Sequence, residues 1–163
     1  MDIFVTVGMN RWPFDRLLEA VRPLCASHNL VVQSGTSNVK LPCSTYRFLP
    51  FQDFLDQIEK ADIVITHAGS TVRVVQRKGK VPIAMARQAS RGEMANDHQV
   101  DYLRYEEQQG WVVPLWEAAD LPRLVETHLT TQARIMASRP LSQKVSSEVV
   151  AAILNRLCEK WIR

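Results

Sequence analysis

Four short apolar runs, rich in β-branched residues, constrain this chain more than anything else in it. They are Ile3-Phe4-Val5-Thr6-Val7, Leu30-Val31-Val32-Gln33, Ile63-Val64-Ile65-Thr66 and Val81-Pro82-Ile83-Ala84-Met85-Ala86. Each is too short for a buried helix, and each gives way to turn-forming or polar residues, so each reads as a strand. The first, ending at Gly8, reads as the central strand. Between them the period changes. Phe14, Leu17, Leu18, Val21, Leu24 and Cys25 recur at helical spacing behind Pro13, which suits a first helical turn. Phe51, Phe54, Leu55 and Ile58 mark a second helix after Pro50, and residues 71–78, 97–108 and 121–132 mark three more. Residues 46–49 read as a further strand and 110–113 as the last. This alternation predicts an α/β fold: a Rossmann-like, doubly wound parallel sheet with helices on both faces.

At 163 residues the chain reads as one domain with a proper core, without internal repeat, low-complexity segment or long linker. Apolar content of 46% and charged content of 23% are ordinary for a soluble globular protein. No apolar stretch approaches the roughly 20 residues that span a bilayer, and the start runs straight into a strand without a basic flank, unlike a signal peptide. Cys25, Cys43 and Cys158 match neither a zinc pattern nor a disulfide framework, so a reduced, cytoplasmic compartment is expected. A net charge of +3 is too small to imply nucleic acid. Locally Arg73, Arg77, Lys78, Lys80, Arg87 and Arg91 crowd together, opposed mainly by Glu93. That cluster is a solvated helix face, a nucleotide-phosphate field or a contact for anionic lipid.

Two loops carry the candidate chemistry. His67-Ala68-Gly69-Ser70-Thr71 falls at a strand-to-helix turn, where small residues allow close backbone approach and helix N–H groups favour an anion. A phosphate or diphosphate suits it; the alternative is a tight turn capped by Ser70 or Thr71. The next loop, residues 87–99, presents Arg87, Glu93, Asn96, Asp97, His98 and Gln99 after another strand. Ligands collect beyond the carboxyl ends of parallel strands, and amides with carboxylates suit sugar hydroxyls. One site is therefore expected, phosphate on the first loop and a polyhydroxylated group on the second. His67 either helps place the diphosphate and relays a proton or anchors the turn. Asp97 and His98 either pair or cap the following helix. His67, Glu93 and His98 match no familiar ligand spacing, so no metal is expected. Trp12, Trp111 and Trp116 read as packing residues. No nucleophile elbow is present, nor a G-x-G-x-x-G after the first strand.

Taken in order, Val5-Thr6-Val7-Gly8, Phe14-Asp15-Arg16-Leu17, Gln33-Ser34-Gly35, Phe51-Gln52-Asp53-Phe54, Ala61 through Ser70, Gly79-Lys80-Val81-Pro82 and Asn96-Asp97-His98-Gln99 resemble the glycosyltransferase family 28 C-terminal domain. The resemblance covers roughly residues 3–130. It is closest to the stand-alone branch, which includes the catalytic subunit of the dolichol-pathway UDP-N-acetylglucosamine transferase and bacterial exopolysaccharide counterparts. It implies one half of a GT-B glycosyltransferase, binding a UDP-sugar donor, inverting the anomeric carbon and needing neither metal nor other cofactor. A membrane-anchored partner subunit would hold the lipid-linked acceptor, placing this chain in the cytoplasm and peripherally at the membrane. His67, Ala68, Gly69, Ser70 and Thr71 would receive the diphosphate, and Leu49 and Phe51 would lie against the uracil. Glu93, Asn96, Asp97, His98 and Gln99 would face the sugar, with Gln99 the direct hydroxyl contact. Gly8, Met9 and Asn10 would line the cleft towards the acceptor half. Positive helix ends and Arg73 or Arg87 would stabilise the departing UDP. No catalytic residue is assigned, because the base that deprotonates the acceptor belongs with the acceptor half. The chain departs from the family at Met9, Thr71-Val72 and Arg73, and at Val75, where an acid often contacts the ribose.

The tail differs from the rest. Val145, Val149, Ile153, Leu157 and Trp161 recur every four residues, predicting a C-terminal amphipathic helix over 141–163 beyond a sugar-nucleotide unit over 1–140. It either covers the sheet or docks a partner.

Overall fold

The computed structural model describes residues 1–138, so the tail helix expected over 141–163 lies outside the described residues. In chain order the elements are β1 (Asp2–Thr6), α1 (Asp15–Val21), β2 (Asn29–Gln33), β3 (Ser44–Tyr46), α2 (Phe51–Lys60), β4 (Ile63–His67), α3 (Ser70–Arg77), β5 (Ile83–Met85), α4 (His98–Gln109), β6 (Val113–Pro114) and α5 (Leu121–Ser138). The strands form one sheet in the order β3-β2-β1-β4-β5-β6, every neighbouring pair parallel. This is a Rossmann-like sheet, and β1 and β4 at its centre register Ile3 on Ile63 and Thr6 on Thr66.

Alternation along β1 separates two cores. Ile3, Val5 and Val7 join Leu30, Val32, Ile63, Ile65, Ile83 and Met85 beneath Leu17, Leu18 and Val21 of α1 and Leu121 and Val125 of α5. Phe4 and Val64 face the other way, against Ile58 of α2 and Val75 of α3. On that same side Ala84 packs with Val72 of α3 and Leu103 of α4. Helices thus cover both faces, because strands buried on two sides carry apolar residues at successive positions.

Four expected elements change. The strand expected over 46–49 is Ser44–Tyr46, and all three of its residues are exposed. An edge strand with no buried face carries no apolar signature, so its sequence hides it. Residues 47–49 instead lead to α2, the Leu49 N–H bonded to Gln33 Oε1 at 3.0 Å. The strand expected over 81–86 shortens to Ile83–Met85, and the last strand falls at Val113–Pro114. The helix behind Pro13 also ends early, at Val21, giving way to a 3-10 turn, Arg22–Ala26, with Pro23 in its first turn. Between β2 and β3 the chain crosses without a helix. Val39, Leu41 and Cys43 of that crossing pack against the α1–α5 core where a helix would lie.

Leu18 is fully buried in this core. Leu18→Ala should cost about 2–5 kcal/mol, read as a lower denaturant midpoint at unchanged slope.

Candidate functional site

Strand order reverses between β1 and β4, since the chain leaves β1 for β2 on one side and returns to β4 on the other. In open α/β sheets a crevice opens at such a point beyond the carboxyl ends. Its floor here is the His67 ring, held between two glycines. A Cβ on Gly8 would stand 2.6 Å from His67 Cε1, and one on Gly69 would stand 2.5 Å from His67 Nε2. Gly8 also has φ +77, a conformation that side chains disfavour. Both glycines are thus required to leave the ring its slot.

Beneath the ring lies a buried polar layer made by the last residues of the central strands. Thr66 Oγ1 donates to the Thr6 carbonyl at 3.1 Å and lies 3.3 Å from His67 Nδ1. Thr6 Oγ1 accepts from Gln33 Nε2 at 3.2 Å and from the Gly8 N–H at 3.2 Å. Through Gln33 this layer reaches Leu49, so the β1 exit, the β4 exit and the loop before α2 are fixed to one another. Sequence reasoning passed over Thr6, Gln33 and Thr66. The available signal was a polar residue at or next to the carboxyl end of each otherwise apolar central strand.

His67 is 9% exposed, and burial first, then the nearby Arg87 charge, pushes its pKa down to about 4. The ring is neutral at physiological pH. Above it starts α3, with Gly69 as N-cap in extended conformation and no side-chain cap. Ser70 and Thr71 are helical, so neither supplies the capping bond that the alternative reading required. Their N–H groups have no protein partner among the described residues, while the Val72 N–H bonds the Gly69 carbonyl at 3.0 Å. Uncapped N–H groups at the positive end of a helix can receive an anionic oxygen. Ala68 is buried and its N–H goes to the Met85 carbonyl.

Arg87 has a different place from the one its charge implied. It is 0% exposed. Its Nη2 donates to the Val7 carbonyl at 2.9 Å, and its Nη1 to those of Trp12 and Pro13, each at 2.8 Å, and of Glu93 at 3.3 Å. The guanidinium also stacks 4.6 Å from the Phe14 ring centre. Burial lowers its pKa to about 10, which leaves it cationic. It ties the β1 exit to the β5 loop.

Glu93 and Gln99 are similarly committed. Glu93 receives Arg16 at both oxygens, 2.9 and 2.8 Å, and the Gln88 N–H at 3.0 Å. Gln99, 3% exposed, accepts the Arg87 N–H at 3.2 Å through Oε1. Arg73 turns to α4, paired with Glu106 at 2.5 Å and lying over the Trp111 ring at 5.4 Å. The basic cluster disperses in the same way. Lys78 pairs with Glu59, and Lys80 Nζ donates to the carbonyls of Ile58, Glu59 and Ala61 at the end of α2. Glu59 opposes Lys78 and Glu106 opposes Arg73, while Glu93 faces Arg87.

The remaining residues lie in the segments that follow β1, β3 and β5. Met9 is 78% exposed beyond β1, and Asn10 Nδ2 lies 3.6 Å from Met94 Sδ of the β5 loop. Phe51, 72% exposed, stacks on Phe54 with centroids 6.4 Å apart, while Leu49 packs inward beside Phe54. Asn96 Oδ1 accepts the His98 N–H at 3.3 Å and also meets that ring's Nδ1. Asp97 is the N-cap of α4 without a capping bond; its Oδ1 accepts the Ala89 N–H at 2.8 Å. Asn96, Asp97 and His98 are all exposed. Among the described residues no three His, Cys, Asp or Glu side chains gather to hold a metal, and no helix is long and apolar enough to cross a membrane. No protein-family model matches this chain, and no curated protein matches it.

Two measurements follow from this geometry. Arg87→Lys should destabilise the fold by about 2–4 kcal/mol in urea unfolding, because one ammonium cannot serve carbonyls from both loops. Second, His67 and buried His128 of α5 both have pKa values pushed from 6.5 to about 4. Between those values the unfolded chain takes up protons that the folded chain refuses. Stability should therefore fall as pH drops from about 6.5 to 4, at fixed salt, through these histidines.

Proposed function

We propose that this domain is the donor-binding half of an inverting GT-B glycosyltransferase. It binds a UDP-sugar and transfers the sugar to a lipid-linked acceptor presented by a membrane-anchored partner subunit, in exopolysaccharide or glycolipid synthesis. The observation that carries the reading is the reversal of strand order between β1 and β4, with a glycine-flanked neutral histidine and the uncapped start of α3 beside it. A diphosphate fits that chemistry. Its oxygens can take the N–H groups of Ser70 and Thr71, beside the His67 ring for which Gly69 leaves room. The nucleoside and the transfer reaction come from the motif resemblance. Exposed Phe51 offers an aromatic surface for a base, and exposed Asn96 and His98 offer polar groups for sugar hydroxyls.

In such a transfer, negative charge grows on the diphosphate as the glycosidic bond breaks. The positive end of α3 stabilises that charge without reorganising. With Arg87 buried and Arg73 paired with Glu106, the helix terminus carries the part expected of it and the arginines together. The acceptor's base comes from the other half, whose contribution is also orientation. The isolated chain is therefore expected to bind donor without turning it over.

A second reading, a non-catalytic subunit that stabilises a true transferase, draws on Val75, Glu93 and Gln99. Val75 is fully buried against Phe4 and Ile58, and the other two are engaged within the protein.

Calorimetry on the purified full chain separates the two, using UDP, UDP-glucose and UDP-N-acetylglucosamine with GDP and NAD as controls. UDP-selective binding is expected, and Gly69→Ala should weaken it tenfold or more by driving a methyl group into His67. Absence of binding to every nucleotide would overturn the donor reading in favour of the second.

A further inference from the structure

Cys25 and Cys43 meet on the side of the fold away from the crevice. Cys25 lies in the 3-10 turn after α1, Cys43 immediately before β3, and both pack at the margin of the α1–α5 core. Their sulfurs are 3.0 Å apart across 18 positions of chain. A disulfide is about 2.05 Å long, so closure needs an approach of about 1 Å, within reach of small side-chain rotations. Both thiols are only partly buried, leaving access for a small reagent.

We propose that Cys25 and Cys43 form a site of reversible covalent modification, a thiol pair that a low-molecular-weight disulfide such as oxidised glutathione closes into an intramolecular disulfide. The Cys43 thiolate attacks one sulfur of the reagent, forming a mixed disulfide and releasing one glutathione thiolate. Cys25 then attacks the Cys43 sulfur and displaces the second. Two cysteine sulfurs are oxidised, the reagent's two sulfurs are reduced, and the two cysteine protons leave on two glutathione molecules. This order follows from the surroundings of Cys25. Cys25 donates its S–H to the Cys43 sulfur, and burial pushes the Cys25 thiol up, so the contact favours the thiolate on Cys43. Modifying Cys43 removes the Cys43 contributions, while Arg22 still favours the Cys25 thiolate.

Closure would pin the helix-free crossing between β2 and β3. That crossing braces the crevice rim from below. Ser37 Oγ accepts the Phe14 N–H at 2.7 Å, and Thr36 Oγ1 donates to the Asn10 carbonyl at 3.2 Å. Closing the loop restricts the unfolded chain more than the folded one, so the oxidised form gains stability.

The test uses the full chain carrying Cys158→Ser, reduced and then titrated with oxidised glutathione under native conditions. The expected result is loss of both remaining thiols with no glutathione retained. A cross-linked peptide pair should contain Cys25 and Cys43, and the melting temperature should rise by roughly 5–10 °C, reversibly with dithiothreitol. Cys25→Ser should trap glutathione on Cys43. Glutathione retained on either cysteine of the two-thiol protein, or both thiols surviving, would overturn the proposal. Wild-type protein under the same titration provides the same peptide readout should a variant fold poorly.

Discussion

The buried guanidinium of Arg87 is the contact on which the upper half of this fold depends. The chain leaves β1 at Val7, turns through Gly8 to Pro13 and enters α1, and that turn has no strand or helix to satisfy its carbonyls. Arg87, arriving from β5, takes those of Val7, Trp12 and Pro13 together. A buried cation is tolerable only when its donors are well used. Here Glu93 provides compensating charge, and Arg16 in turn neutralises Glu93. The result is a rigid bracket joining the two strand ends on either side of β4, with His67 and its glycines held between.

That bracket explains why Arg87 and Glu93 of the β5 loop turn inward. Reading along the chain, a base, an acid and an amide after a strand look like a binding loop, since buried and exposed charges are spelled alike. What distinguishes them is a partner far away in sequence: Arg16 lies 77 positions from Glu93, and Val7 lies 80 from Arg87. Polar groups turned inward hold the crevice open. What stays exposed in the loops beyond the strands includes Met9, Phe51, Asn96, Asp97 and His98.

Much of the architecture was legible because strands buried on both faces require unbroken apolar runs, and β1, β2 and β4 carry them. Helix positions followed from spacing. A strand was legible near β3, but its bounds were displaced because no burial shaped its residues, and the crossing before it runs without a helix. At the site, the glycines and His67 were visible as a turn with room for an anion. The depth of the histidine, its neutrality and the Thr6–Gln33–Thr66 layer beneath it depend on strand order, which no local pattern encodes. The commitment of Arg73 to Glu106 likewise depends on α3 and α4 lying side by side.

The central claim is that a diphosphate docks where β1 and β4 end. Backbone amide NMR of the labelled full chain during titration with UDP addresses it residue by residue. The account predicts the largest shifts at Gly8, Gly69, Ser70 and Thr71, with the Arg87 bracket little changed. Shifts concentrated elsewhere, or none at these residues at saturating UDP, would contradict it.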